Sequence, residues 1–423
     1  MFLNLFVLNR LYSPDQEAVM SNEANIRSQQ CAGQESGTSH SPYRIETRAV
    51  HGYNHIDLVH TYGSISTPIF QTATFQHIGV KHSTGYDYTR VSNPTRDELE
   101  SLVSSLEGAG TTLACATGMA AVDVILSLFD PGDHIIATDD LYGGSVRLFD
   151  TAERTRGLSF TYTDTSDCSQ VEPLIRPETK ALYIETPSNP TMKVTDLRAM
   201  KALCEQHHLL LIVDNTFLSP YYQRPISLGA DLVIHSGTKY LEGHNDTLAG
   251  FVCTAPDRED LAEKLRLIYK TVGCNLAPFD SFMLIRGIKT LAVRMDRIQD
   301  NAMKIAAFLK TQPKVLDVLY VGLPEHPGYQ VSLSQTTGFG GMISFHVDTK
   351  ETAYHLLESV KLIKFAESLG GVETLITHPR LQTHADLPGE TAQKLGITDN
   401  FLRLSVGIEN ADDLIEDLRQ ALA

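Results

Sequence analysis

The sequence lacks several features that would point it toward other functions. It has no Lys/Arg-rich run, and 35 basic against 51 acidic residues leave a formal charge of −16, which argues against a nucleic-acid partner. No apolar run approaches the ~20 residues of a membrane-spanning helix. The opening Met1-Phe-Leu-Asn-Leu-Phe-Val-Leu-Asn-Arg10 is too short for that and has no basic lead. The six cysteines (Cys31, Cys115, Cys168, Cys204, Cys253, Cys274) form no C-x-x-C pair, the pattern of reduced, mostly buried thiols in a cytoplasmic protein. Neither G-x-G-x-x-G nor G-x-x-x-x-G-K-[ST] occurs, which lowers nucleotide readings. There are no internal repeats.

What is present is an ordinary globular composition, 42% hydrophobic and 20% charged, over 423 residues, enough for two or three domains. Residues 1–42, polar and Ser/Gln/Gly-rich from residue 20, are expected to form a disordered extension, and Met20 offers a second plausible start. Residues 43–95 carry Gly, Pro and Thr punctuation without periodicity and predict an extended arm. Pro94–Leu106 places Leu99, Leu102, Val103 and Leu106 on one helical face, with Asn93 as cap and Pro94 at the first helical position. Strand candidates then alternate with helical stretches at 112–116, 134–138, 158–164, 180–186, 209–215, 231–236 and 248–255. Most are near-continuous apolar runs, as in a parallel sheet covered on both faces. The reading is α/β, an open, mostly parallel seven-stranded sheet in a large domain at 96–286. Beyond residue 286 a helical stretch (Thr290–Lys310), strand-like Met342–Val347 and Leu362–Phe365, and a closing helix Asp412–Leu422 suggest a smaller α/β domain at 287–423.

Two strand ends carry candidate chemistry. Leu209–Asn215 runs apolar into Asp214, and Asp231–Tyr240 ends in a small-residue loop that presents Lys239. A buried carboxylate costs several kcal/mol unless paired. An amine beside an anion suits a lysine that forms an imine with pyridoxal phosphate (PLP), whose ring nitrogen takes an Asp partner. Asp214 read alone also fits a helix cap, an Arg salt bridge, a nucleophile or a Mg²⁺ ligand, and most lysines are solvated surface charges. Ser236 and Thr238 flank Lys239 with hydroxyls suited to a phosphate, and Gly237 permits close backbone approach. Cys115-Ala-Thr-Gly118-Met119 lies where a strand turns into a helix, so its N–H groups favour an anion, although packing explains most such turns. Tyr142, after another strand, can stack on a planar group or serve simply as core.

Together these segments resemble the PLP-dependent enzymes of cysteine and methionine metabolism, the cystathionine synthase and lyase family. The matching motifs are Tyr86-Asp-Tyr-Thr-Arg-Val-Ser-Asn-Pro-Thr95, Ala116-Thr-Gly-Met-Ala-Ala121, Glu185-Thr-Pro-Ser-Asn-Pro190, Val213-Asp-Asn-Thr216, Ser236-Gly-Thr-Lys-Tyr240, Ala366-Glu-Ser-Leu-Gly-Gly371 and Arg403-Leu-Ser-Val-Gly-Ile-Glu409. The resemblance runs from about residue 44 to the end, and so many ordered matches make it highly specific. It implies the fold type I, aspartate aminotransferase-like architecture. It also implies that Lys239 carries PLP and shuttles protons, Asp214 pairs with the pyridine nitrogen, Tyr142 stacks on the ring and Asn189 contacts the ring hydroxyl. Gly118, Met119, Ser236 and Thr238 would hold the phosphate. Tyr88 and Arg90 would reach the phosphate of a neighbouring subunit, making the arm an inter-subunit element of a homotetramer, a dimer of dimers with shared active sites. Arg403 would clamp the amino-acid α-carboxylate as a planar fork, helped by Ser368 and Asn189. Thr89 and Thr117 stand where many relatives carry Ser; both keep the hydroxyl. Intact Lys239, Asp214 and Arg403 argue against a regulatory protein without turnover.

Within the family, Asp87, Arg147 and Glu367 bear on reaction choice. Synthases and γ-lyases resemble this chain in the two acids, where enteric β-lyases carry aromatics, and Arg147 matches an arginine of both. Acids there can hold a distal ammonium, although solvated charges around a polar pocket are the plain alternative. Gly144 stands where methionine γ-lyases have cysteine. Ser83–Asp87, Gly243–Asp246 and Thr383–Pro388 look most like bacterial cystathionine γ-synthases that also use sulfide. The expectation is γ-replacement on O-acylhomoserine with cysteine or sulfide, with β- or γ-lyase activity the alternative.

Overall fold

The computed structural model describes residues 43–52, 62–385 and 387–423; the expected N-terminal extension lies outside them. Each of the seven strand candidates forms: β1 (Thr111–Cys115), β2 (His134–Thr138), β3 (Ser159–Thr163), β4 (Thr179–Glu185), β5 (Leu210–Asp214), β6 (Leu232–Ser236) and β7 (Gly250–Thr254). They make one sheet in the order β1-β7-β6-β5-β4-β2-β3. The run from β3 to β6 is parallel, while β7 is antiparallel to both neighbours. The continuous apolar runs have the expected cause. Along β4, Leu182 and Ile184 enter the core on one face of the sheet and Ala181 and Tyr183 the core on the other, so both faces are covered.

The helix foreseen at 94–106 spans Pro94–Glu107, with the Asn93 side chain accepting from Thr95 N–H and Gly108 ending it at φ 80°. The arm departs from expectation, because Ile45–His51 is a helix rather than extended chain. Ala49 joins the same core as Leu99 and Leu102, and Arg48 donates from its guanidinium to Ser105 O. Seven residues with one buried alanine give too little periodicity to read in advance.

The C-terminal sheet has five strands, β8 (Val315–Leu319), β9 (Met342–Val347), β10 (Lys364–Phe365), β11 (Leu375–Thr377) and β12 (Phe401–Ser405), in the order β10-β11-β12-β9-β8. The strand expected at Leu362–Phe365 is thus only two residues long. The helix Leu291–Leu309 and the closing helix Ala411–Leu422 share a third core with this sheet. No helix of the described residues is long and apolar enough to cross a membrane.

The sheet brings its site loops close together at one glycine. Gly250 opens β7, opposite Cys115 of β1 and Ser236 of β6. A Cβ there would stand 2.1 Å from Thr117 O and 2.7 Å from Gly118 Cα. Thr117 cannot yield freely, since its hydroxyl caps the helix Gly118–Leu126 by accepting from Ala120 N–H at 3.0 Å. Gly250→Ala is therefore expected to cost about 1–3 kcal/mol, read as a lower urea midpoint at constant m-value. An unchanged midpoint would show that the loop can move.

Candidate active site

The C-terminal ends of β4, β5 and β6 and the N-terminus of the helix Gly118–Leu126 open into a cavity of about 350 Å³. Its wall includes Gly118, Met119, Tyr142, Asn189, Asp214, Ser236, Thr238, Lys239, Glu367, Ser368 and Arg403. Eleven side chains or backbone positions singled out from sequence thus converge on one space. The strand order explains it: β5 and β6 are adjacent and parallel, so residues at their C-terminal ends project the same way.

Lys239 is half-buried, and its Nζ donates to Ser368 Oγ at 2.8 Å. Burial, reinforced by the positive charge of Arg403 and opposed by Glu367, pulls its pKa down from 10.5 to about 8. Ser368 has a φ of 88°, which side-chain-bearing residues rarely adopt. Its carbonyl accepts from Arg403 Nη2 at 3.0 Å, which helps hold it there. Asp214 accepts from Thr216 N–H at 3.0 Å and from Thr216 Oγ1 at 2.6 Å, both through Oδ1. Burial raises its pKa, with Thr216 opposing. Such a carboxyl group is stabilised in its charged form by a cation placed against it.

Arg403, on β12, is 1% exposed. Nη1 donates to Asn189 Oδ1 at 2.7 Å, Nη2 to Thr377 Oγ1 at 3.3 Å, and Nε is buried without a hydrogen-bond partner. Burial lowers its pKa to about 10, with Tyr240, Glu185, Tyr142 and Glu367 opposing. Asn189 sits in a turn with cis bonds at Thr186–Pro187 and Asn189–Pro190. Ser236 donates its N–H to Thr216 Oγ1 at 2.9 Å. Thr238 is differently engaged: its hydroxyl donates to Ala249 O at 3.2 Å and accepts from Ala249 N–H at 3.0 Å.

Four predicted residues lie elsewhere in this chain. Tyr88 and Arg90 are exposed on the arm, with the guanidinium 5.6 Å from the Tyr88 ring centroid and donating to Lys270 O. Asp87 is also on the arm, where it pairs with His77 Nε2 at 3.1 Å. Arg147 is exposed on the helix Gly143–Arg156, one turn beyond Tyr142 and outside the cavity wall. Sequence reasoning missed Glu185, Thr216 and Thr383, all in the wall. Glu185 ends an apolar strand just as Asp214 does, and the two are register partners. The reasoning that singled out Asp214 applies equally to Glu185.

A desolvated amine, a carboxyl group short of a cation, a helix N-terminus and a buried guanidinium form a donor set that fits PLP and an amino acid. The comparisons with known proteins agree. Residues 46–423 match the family model described as Cys/Met metabolism PLP-dependent enzyme, and the chain belongs to that family. It is 48% identical over 360 residues to a cystathionine gamma-lyase of Bacillus subtilis (85% of this chain, 94% of the relative). It is 45% identical over 378 residues to the same organism's cystathionine gamma-synthase/O-acetylhomoserine (thiol)-lyase (89% and 96%). A cystathionine gamma synthase from Xanthomonas oryzae pv. oryzae, solved with aminoacrylate and cysteine, superposes with a TM-score of 0.87 at 39% identity (90% and 98%). The protein is therefore a PLP-dependent enzyme of fold type I, a transferase or carbon–sulfur lyase of cysteine and methionine metabolism.

The lowered pKa of Lys239 has a kinetic consequence. An amine attacks an aldehyde when unprotonated, so the rate at which apoenzyme takes up PLP should rise with pH and reach half-maximum near about 8. Stopped-flow absorbance across roughly pH 6.5 to 10.5 reads it. A midpoint near the ordinary lysine value would refute the desolvated amine.

Proposed function

We propose γ-replacement on an O-acyl-L-homoserine in methionine biosynthesis: L-cysteine displaces the acyl group as its carboxylate and gives L-cystathionine, and sulfide in its place gives homocysteine. The observation that carries this reading is the placement of Glu367 and Arg403 in the wall of one cavity with Lys239. Arg403 offers a planar fork to an α-carboxylate. Glu367, at the exposed edge of the same wall, suits an ammonium group at the far end of the substrate or on the incoming cysteine. A molecule with an amino-acid group at each end satisfies both.

PLP, when bound, supplies the electron sink that makes loss of the α-proton and of a γ-substituent feasible. The chain's own groups do the rest. Lys239 would hold the cofactor and, once the substrate amine has displaced it, its Nζ, placed by Ser368 Oγ, would take the α-proton and return it. Asp214 would keep the ring nitrogen protonated, Tyr142 would cover the ring, and Asn189, which braces Arg403, would meet the ring hydroxyl. The N–H groups of Gly118 and Met119, with Ser236 and Thr238, would hold the phosphate. Tyr88 and Arg90, exposed here, complete that cradle in a neighbouring copy, within a homotetramer built as a dimer of dimers. Asp87 and Arg147 bear on the distal part of the substrate. The five described cysteines are free thiols, which supports a cytoplasmic setting.

Cleavage of cystathionine is the second reading, favoured by the 48% identity to a named γ-lyase; it would use the same clamp in reverse. Two incubations separate them. O-Acetylhomoserine plus cysteine is expected to yield cystathionine. If that mixture yields none, and cystathionine alone yields pyruvate or 2-oxobutyrate, the synthase reading fails. Glu367→Gln is expected to raise KM for the amino-acid substrate roughly tenfold with a smaller effect on kcat; an unchanged KM would remove Glu367 from the binding site.

A further inference from the structure

The peptide unit joining Leu141 to Tyr142 is gripped on both sides by buried side chains. Its N–H, on Tyr142, donates to Glu185 Oε2 at 3.0 Å. Its carbonyl, on Leu141, accepts from His384 Nε2 at 3.1 Å. Glu185 ends β4 and is 5% exposed, and His384 follows β11 and is 2% exposed. Two distant parts of the chain, one from each sheet, thus converge on one peptide plane. That plane begins the helix Gly143–Arg156 and carries the aromatic ring of the cavity wall.

The protonation pattern follows from the partners. His384 Nε2 also lies 3.1 Å from Asn189 O, and Nδ1 lies 2.8 Å from Thr383 Oγ1. Carbonyl oxygens only accept, so Nε2 bears the proton and Nδ1 accepts from the Thr383 hydroxyl. The surroundings leave little slack. A Cβ on Gly143 would stand 2.2 Å from Thr383 O, and one on Gly144 would stand 2.3 Å from the Tyr142 ring. Two glycines therefore let the segment after β11 and the Tyr142 ring close over the same turn.

We propose that Glu185 and His384 are positioning residues, a two-sided clamp on the Leu141–Tyr142 peptide that fixes the angle at which the Tyr142 ring meets the cofactor. Neither need touch the reacting atoms. The clamp rests on the placement of Tyr142 against the cofactor ring in the proposed function. Its electrostatics are consistent with two neutral groups. Burial, then the adjacent Asp214, pushes the Glu185 carboxyl well above the usual range. Burial, with the positive charges of Arg403 and Arg147, holds the His384 imidazole down at about 4. A carboxyl oxygen accepts from an N–H and a neutral imidazole donates from Nε2, so burial disfavours charge on both halves of the clamp without removing either bond.

This separates substitutions that preserve the clamping atom from those that retract it. Glu185→Gln keeps a carbonyl acceptor at the same reach, and His384→Gln keeps a donor near the Nε2 position. Glu185→Asp and His384→Asn keep polarity but fall short. The readout is the visible circular dichroism induced in bound PLP, which reports ring orientation, with PLP affinity and kcat/KM alongside. The retracted variants are expected to lose most of that band and about tenfold in kcat/KM, while both Gln variants retain the band. If Glu185→Asp and His384→Asn keep the band, or the Gln variants lose it as fully as the retracted ones, the clamp is overturned. Should a retracted variant fail to fold, the Gln variants decide, since loss of the band in them overturns it equally. Tyr142→Ala, run in parallel, isolates the premise. Loss of the band there with none in the retracted variants defeats the clamp alone. Retention of the band in Tyr142→Ala defeats the placement of Tyr142 and, with it, the purpose of the clamp.

Discussion

A buried guanidinium without a carboxylate partner sets the terms for this site. Arg403 is held by an amide oxygen, a carbonyl and a hydroxyl, and among the described residues no acidic oxygen lies within ion-pair distance of it. Taking a cation out of water without a counter-charge costs several kcal/mol. The fold meets that cost through the burial of β12 in its own sheet and core and through the three neutral bonds, and an entering carboxylate would recover part of it. The neutral bonds orient the fork, leaving its charge available to a ligand. An acid at Asn189's position would have orientated it equally well and cancelled its attraction.

The same charge acts on Lys239. It adds to burial in making the protonated amine unfavourable, so the residue proposed to attract the substrate's anion also helps keep the neighbouring amine nucleophilic. Across the cavity the carboxyls of Asp214 and Glu185 lie side by side on β5 and β4. Two like charges at adjacent strand ends are unfavourable, and burial raises both pKa values. In the proposed site a single cationic ring nitrogen would favour ionisation of the carboxyl it touches and not of the other. Two similar groups would thereby acquire different roles through their neighbours alone.

Much of the large sheet was legible because generic burial writes a simple pattern. Strands covered on both faces read as apolar runs, and most of β1 to β7 do; the edge strand β3, Ser-Phe-Thr-Tyr-Thr, is the clearest exception. In the C-terminal sheet that rule picks out β9, and of the expected Leu362–Phe365 only the two-residue β10 forms. The strand β12 carries Arg403 and Ser405 inside Phe401–Ser405, so the residue that makes it functional also breaks its apolar signature. The strand β8 is an edge strand with Asp317 at its centre, where His346 Nδ1 meets the Asp317 carboxylate at 2.8 Å. Lys239 and Asp214 stood out because each closes an apolar run. Glu185 closes one too, but its motif entered only through the family resemblance, which pointed to Asn189 in it. His384 gave no local signal, because its partners Leu141 and Asn189 are separated from it by 243 and 195 residues. The Thr238 hydroxyl illustrates the opposite limit: a residue correctly placed in the cavity wall whose bonds in this structure run to Ala249.

Reaction choice is distributed differently from the chemistry common to the family. In the proposed site Lys239, Asp214 and Arg403 would treat every α-amino acid alike, since they would address the ring, the α-carbon and the α-carboxylate. Discrimination between a departing acyl group and a departing thiolate has to come from groups beyond the β-carbon. Of the three charged candidates, Glu367 alone lines the cavity of its own chain. Asp87 sits on the same arm as Tyr88, already tied to His77, and Arg147 projects from the helix that begins at Tyr142. If the arm delivers Tyr88 and Arg90 to a neighbouring copy, as proposed, it also delivers the acid beside them. Specificity would then depend on how two chains meet, while Lys239, Asp214 and Arg403 come from one. Relatives of 45–48% identity can consequently carry synthase or lyase names.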